Sequence, residues 1–498
     1  MAIVFELLSN LIFVLLPILL YWVYWRYTRR RLLQLASLVP GPPALPVLGN
    51  ALLFIAQPEE QLNKIAALLN TYGQYVKFWL GPDLNICVKN PSDIRFLLTS
   101  NKVNMKGPVY EFMASFIGRG ILTGGPSWRL YRKIATPSYN KKSVMIFSEV
   151  FNREADELVN TLRNKNPEKI FDVYYDVVHQ TTQCVCQTLM GLTKEESQNI
   201  KHLDEVVLKT QSLYGVIFSK MTKWWLHIPF IYWLTDIRKQ EIYFRKILNE
   251  MTTDILDKRK KALYGNGFKA NNDSMGIVDR FILEGLNDAE IKLQTFTLFT
   301  TSQEASAKIT STVLLFMAHL PEWQEKVYNE ITEVVGFHDD ITEDHLKKLQ
   351  NLDLVYKEAL RYMSIAALIQ RTVEEEITIN DGKITLPAGT SLVIPIHELH
   401  RDPQYWDEPY KIKPERFLPE NMNNRDPNAF VPFSLGSMDC LGRVYATALI
   451  KTLVVKVIRE LHLEADGKIE DLELHIAISV KFSKGYNLRV RPRRTENT

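Results

Sequence analysis

Cysteine is scarce in this chain: Cys87, Cys184, Cys186 and Cys440 are the four among 498 residues. That number excludes a disulfide scaffold, and the spacing lacks the pairs of a zinc site. Charge of one sign is missing as well. Sixty basic residues face fifty-seven acidic ones for a net +3, so nothing calls for nucleic acid as a partner. There is no short-period internal repeat and no low-complexity block. What is present is an ordinary folded composition, 46% hydrophobic and 23% charged, in a chain long enough for one large domain or two to three smaller ones. Cys184 and Cys186 fall in one helical segment, where a free cysteine acts as a small apolar residue. The same holds for Cys87, and the usage fits a reducing compartment.

A stretch near the start lacks charge altogether. From Leu7 to Trp25 nineteen residues carry none, close to the roughly 20 that a helix needs to cross a bilayer core. Arg26, Arg29, Arg30 and Arg31 follow, and Tyr21, Trp22, Tyr24 and Trp25 supply an interfacial belt. A cleaved signal peptide would carry its basic residues before the apolar run and a small-residue site after it, and neither is there. Residues 1–25 therefore read as a retained anchor with the arginines on the cytoplasmic side. Residues 26–50 form a basic and proline-rich linker, ending in "PGPPALPVLGN", whose prolines make it a stiff, non-helical spacer. Residues 51–498 form the folded domain.

Within that domain "KFWLGPDLNICVKN" (77–90) and "EEITINDGKITLPAGTSLVIPI" (375–396) are β-rich. Asn380-Asp381-Gly382 supplies hairpin chemistry. Nearly everything between them has helical periodicity, including a long stretch over 289–320 stopped by Pro321. A polar, glycine-rich loop is expected over 265–276. The fold class is α+β, mostly α-helical, with a small sheet assembled from both ends of the chain.

"PFSLGSMDCLGR" (432–443) sets Cys440 between Gly436 and Gly442, just before an apolar helical pattern from Tyr445 through Leu449, Leu453, Val454 and Val457. Glycines permit a tight turn whose N–H groups point at the sulfur, and the helix start lowers a thiol pKa. Phe433 can screen the sulfur. Alone, the stretch leaves two readings open, a metal-binding thiolate or a buried structural cysteine in a helix-capping loop. Three weak patterns accompany it. "KEALR" places Glu358 and Arg361 on one helical face. "KPERF" offers Arg416 to that pair. "WRLYR" puts Trp128 and Arg132 at i and i+4, a face suited to a carboxylate.

In this order and at these intervals the four motifs resemble the cytochrome P450 family of haem-thiolate monooxygenases, from the proline spacer to the last strand-like segment. Residues 400–436 look like the microsomal branch that holds fatty-acid ω-hydroxylases and insect detoxification enzymes. The resemblance implies the P450 fold with a β-rich subdomain and an N-terminal transmembrane helix. It makes Cys440 the proximal ligand of haem iron. Glu358, Arg361 and Arg416 become a buried charge network behind the haem. Trp128, Arg132 and Arg371 would reach the haem propionates, and 301–306, "TSQEAS", would handle oxygen. Glu304 and Ser306 are then the acid and alcohol that pass protons.

Four positions depart from the family pattern. Met438 stands where an arginine usually pairs with a propionate, and a methionine donates no hydrogen bond. Ser302 replaces a glycine and would narrow the oxygen groove. Thr301 replaces a glutamate that can esterify haem, so the haem is expected to be non-covalent haem b. Ser364 replaces a proline and is expected to loosen a turn. The aromatic segment 221–234, with Trp224, Trp225 and Trp233, reads either as an interfacial anchor or as core.

The resemblance implies a monooxygenase of the endoplasmic reticulum membrane with its catalytic domain facing the cytoplasm. An NADPH-cytochrome reductase would supply the electrons, with cytochrome b5 as a further candidate donor. One oxygen atom from O2 would enter an apolar substrate such as a fatty acid, lipid hormone or xenobiotic. Two rivals stand beside it. One is a haem-binding protein of this fold that has lost most of its turnover and acts as a ligand sink. The other is a haem-thiolate enzyme that rearranges peroxides without a reductase.

Overall fold

The computed structural model describes residues 16–17, 19–265, 274–423 and 425–493. The helices that frame the site are α1 (Arg30–Ser37), α2 (Trp128–Ala135), α3 (Lys141–Arg163), α4 (Tyr174–Thr188), α5 (Leu203–Thr222), α6 (Asp236–Tyr264), α7 (Asp288–His319), α8 (Gln350–Tyr362) and α9 (Arg443–Glu460). The stretch expected over 289–320 is α7. Asn287 opens it with a capping box, its side chain accepting from the Glu290 N–H while Glu290 accepts from the Asn287 N–H. Pro321 then starts the next helix, where its missing N–H costs nothing. α7 is buried on nearly every face, which explains its apolar sides all round. It packs against α4, α6, α8 and α9, with Cys184 and Cys186 of α4 fully buried in the same core.

The sheet does join the two ends of the domain. Strands β1 (Tyr75–Leu80), β2 (Asp83–Val88), β3 (Met105–Lys106), β4 (Ile369–Thr372) and β5 (Ser391–Ile394) lie in the order β1-β2-β5-β4-β3. β2 and β5 run parallel, Asn85 opposite Ser391, and the other pairs are antiparallel. Asn380, Asp381 and Gly382 all take positive φ between the paired strands Ile377–Ile379 and Ile384–Leu386. This is the conformation that tight hairpin turns demand. A separate hydrophobic core, including Trp79, Ile86, Leu97, Leu392 and Ile394, makes the β-rich part a subdomain of its own.

Among the described residues no helix is long and apolar enough to cross a membrane. Most of the span expected over 7–25, namely 7–15 and residue 18, lies outside the described residues, as do 266–273 of the expected polar loop. A helical stretch over 19–28 leads through a turn at Arg29 into α1.

Candidate active site

The loop from Phe433 to Gly442 folds back on itself. The Cys440 N–H donates to the Phe433 carbonyl at 2.9 Å and the Asp439 N–H to that of Gly436 at 3.2 Å. Gly436 has φ 77°, and a Cβ there would stand 1.9 Å from the Leu98 carbonyl oxygen, so the close approach requires glycine. α9 begins three residues after Cys440. By surface area Cys440 is exposed, yet protein crowds its sulfur enough that burial pushes the thiol pKa up. The Gly442 N–H opposes that rise, Asp439 adds to it, and Arg132 and Arg443 draw it down. Phe433 lies partly buried beside it, with the Arg443 guanidinium 6.0 Å from its ring.

Three cations meet this loop. Arg132, on α2, donates to the Asp439 carbonyl at 2.7 Å and to its carboxylate at 2.5 Å. Arg371, on β4, reaches the Met438 carbonyl at 3.5 Å. Lys106 pairs with Arg371 across β3 and β4, and burial, then Arg371 and Arg132, hold its pKa well below the usual lysine range. Trp128 is buried, with the Arg132 guanidinium 5.9 Å over its ring. Its indole N–H has no acceptor among the described residues.

Behind the loop, Arg361 grips Glu358 through two 2.7 Å bonds, and both side chains are fully buried. The remaining Arg361 donors go to the carbonyls of His400, Pro409 and Lys411. Arg416 joins Glu358 at 3.4 Å and also holds the carbonyls of Glu408 and Lys411. Ser364 does not loosen its turn. Its hydroxyl is buried against the Arg361 carbonyl and His400 Nδ1, at 3.2 and 3.0 Å. His400 Nε2 accepts from the Val431 N–H, so the imidazole is neutral with its proton on Nδ1. Burial and the neighbouring arginines keep its pKa well below the ordinary value.

On α7 the residues point several ways. Ser302 Oγ lies 3.0 Å from the Tyr139 hydroxyl, a partner that spends the polar group expected to crowd the groove. Tyr139 stacks edge-on with Tyr445, 5.9 Å away. A Cβ on Gly442 would come within 3.6 Å of its ring. Thr301 bonds back to the Thr297 carbonyl at 2.7 Å. The Glu304 carboxylate accepts from Lys308, Gln211, Ser479 and Tyr214, at 2.6, 3.0, 3.1 and 2.8 Å. Ser306 Oγ is buried with no partner among the described residues, so acid and alcohol are not joined directly.

Residues 39–488 match the family model of cytochrome P450. The chain belongs to the cytochrome P450 family. Mouse cytochrome P450 4V2 is 27% identical over 487 residues, covering 94% of this chain and 92% of that protein. Drosophila melanogaster cytochrome P450 4d1 is 30% identical, covering 88% and 89%, and cytochrome P450 4c3 of the same organism is 28% identical, covering 97% and 94%. These relatives place it in the family-4 branch as a P450 monooxygenase, and the family implies haem iron as cofactor.

The residues fit that group. Arg132 meets the Asp439 carboxylate and Arg371 the neighbouring Met438 carbonyl, with Lys106 paired to Arg371 across the strands, a gathering of basic side chains that propionates can neutralise. The unpartnered Trp128 N–H is a donor awaiting an acceptor. Lys106 and Asp439 are site residues that sequence reasoning missed. Lys106 lies on a two-residue strand with no motif around it, while Asp439 stood in plain view beside the cysteine.

A propionate contact of the charge-assisted kind contributes about 1.5–3 kcal/mol, roughly ten- to a hundredfold in affinity. Lys106→Met is therefore expected to speed haem transfer to excess apo-globin by about tenfold or more. Met438→Arg and Asp439→Asn are expected to slow it, the first by adding a donor and the second by freeing Arg132. Equal rates in all four proteins would show that these side chains do not hold the propionates.

Proposed function

We propose that this P450 is anchored in the endoplasmic reticulum membrane and faces the cytoplasm. It would receive electrons from NADPH through a reductase, and place one oxygen atom on an apolar substrate of the fatty-acid, lipid-hormone or xenobiotic class. The observation that carries the reading is the thiol loop beneath converging cations, with the buried Trp128 N–H beside it. Bound haem, non-covalent because Thr301 has no carboxylate to form an ester with it, would supply the oxygen chemistry. The chain supplies the rest. Cys440 is the iron ligand, with the Gly442 N–H stabilising its negative charge. Glu304 is kept beside ionisable donors, Lys308 and Tyr214, and the unpartnered Ser306 hydroxyl can bond a water that moves protons along α7. The anchor over residues 1–25 is supported by the uncharged run and the arginines behind it. Far along the chain Trp224, Ile228, Phe230, Trp233 and Leu234 are all exposed, Phe230 by 70%. That suits a second contact with the bilayer interface.

The reduced carbon-monoxide difference spectrum, followed by NADPH-dependent turnover with reductase, tests the reading. A thiolate-type band with NADPH-dependent oxygenation is expected. The band with no NADPH-dependent product would favour the ligand sink, and turnover of a peroxide without NADPH the rearranging enzyme. Deleting residues 1–31 is expected to release most of the protein from membranes, with a residue held by the exposed aromatic segment. Unchanged membrane retention, or glycosylation of the catalytic region, would overturn the anchor and its orientation.

A further inference from the structure

Where the uncharged run gives way to arginines, the chain borders a half-open hollow of about 260 Å³, lined by Trp22, Trp25, Arg26, Leu33, Pro46 and Trp79 among others. A shallow, largely open groove of about 360 Å³ along the same helical stretch shares Arg26 and Leu33 with it and adds Tyr27 and Arg30. The wall between linker and sheet is fixed. Trp25 stacks edge-on with Trp79 of β1 at 5.5 Å, Arg29 donates to the Pro82 carbonyl at 2.9 Å, and Arg31 pairs with Glu376 at 2.7 Å.

Two arginines are left over. The guanidinium of Arg26 lies 5.0 Å from the Trp22 ring and that of Arg30 lies 4.4 Å from Tyr27. Neither has a carboxylate partner among the described residues. Trp25, which lines the first hollow, also keeps its indole N–H buried without an acceptor. One compartment is thus aromatic and apolar, and the other is cationic. At about 260 Å³ the first is smaller than the roughly 300–1,000 Å³ of a pocket that engulfs a whole drug-sized ligand. It suits part of a molecule whose remainder stays outside.

We infer that these two hollows bind one anionic phospholipid of the surrounding membrane. Arg26 and Arg30 hold the phosphate and the headgroup carboxylate, and the start of an acyl chain lies among Trp22, Trp25, Pro46 and Trp79. The inference rests on the proposed membrane anchor. It sets the linker as a lipid-seated brace between bilayer and β-rich subdomain, because Trp25, which lines the hollow, also packs on Trp79 of β1.

The test uses the full chain with vesicles of phosphatidylcholine alone or mixed with phosphatidylserine. Co-sedimentation is measured first. The protein is then extracted in mild detergent, and the lipid it retains is counted by native mass spectrometry. Wild type is expected to retain phosphatidylserine over phosphatidylcholine. Arg26→Gln and Arg30→Gln should each lower that preference about fivefold, the worth of one arginine at an anionic surface. Arg31→Gln, whose arginine is spent on Glu376, should leave it unchanged, whereas diffuse attraction to the bilayer would make all three equal. Trp25→Phe keeps an aromatic ring but removes the indole N–H, and should also lower retention. Equal loss in all three arginine variants, or no preference in wild type, would overturn the site while leaving the anchor standing. Failure to co-sediment with either vesicle would overturn the anchor itself. Displacement of the lipid by soluble glycerophosphoserine or inorganic phosphate would show that the site reads a free anion and makes no use of the apolar hollow.

Discussion

Replacing Glu358 by alanine is expected to cost about 3–5 kcal/mol of stability, the range for stripping one partner from a buried ion pair. The reason lies in what is left behind. Arg361 is fully buried, and three backbone carbonyls still accept from it, but no carboxylate would remain to balance its charge. Arg416 would lose the same partner, and the Lys413 N–H an acceptor at 2.8 Å. Two buried guanidinium groups would then lie together with no counter-charge between them. Glu358→Gln retains an acceptor and removes only the charge, so it should fall between wild type and alanine. Urea midpoints of the haem-loaded chain, read by intrinsic fluorescence and by release of haem, should move together for both variants. A wild-type midpoint for Glu358→Ala would mean that the network adds no stability. A midpoint shift without faster haem release would mean that it does not brace the proximal loop.

The sequence made parts of this architecture legible because those parts are local. The helix after Asn287 announces itself through its capping residues and through Pro321, and the observed ends differ from the expected ones by a single residue. The Asn-Asp-Gly hairpin is equally local, since positive φ at successive residues is a property of those side chains. The four motifs carry their chemistry within a few residues each, so the Glu358–Arg361 pair could be named in advance, and Cys440, Trp128 and Arg132 could be put forward as candidates. What stayed hidden is long-range. Lys106 reaches the site only because β3 pairs with a strand more than 260 residues later. Ser302 was read as an obstruction, because nothing near it hints that Tyr139, 163 residues earlier, offers its hydroxyl. Ser364 was read as a slack turn, because the histidine that ties it down is 36 residues away. In each case the sequence names a polar group and the tertiary fold chooses its partner.

The largest single effect is expected at Cys440. Cys440→Ala should abolish the thiolate-type spectrum completely, whereas Cys87→Ala, Cys184→Ala and Cys186→Ala should keep it. The contrast follows from where each sulfur sits. Burial pushes the Cys87 thiol up to about 12 and raises those of Cys184 and Cys186 as well. These three are neutral, fully enclosed thiols, with no glycine-flanked loop and no helix start beside them. Cys440 is raised too, but it alone has two arginines drawing its pKa down, with the Gly442 N–H adding to them. Iron ligation takes the thiolate, and a bound cation supplies the remaining stabilisation. Substitution by serine sharpens the test. Cys440→Ser preserves the size of the side chain and the loop's own hydrogen bond from residue 440 to Phe433, which uses only the backbone. The fold should therefore survive while the sulfur-specific band disappears. If Cys440→Ser retained that band, the ligand would have to be another residue, and the reading of the loop as an iron site would fail.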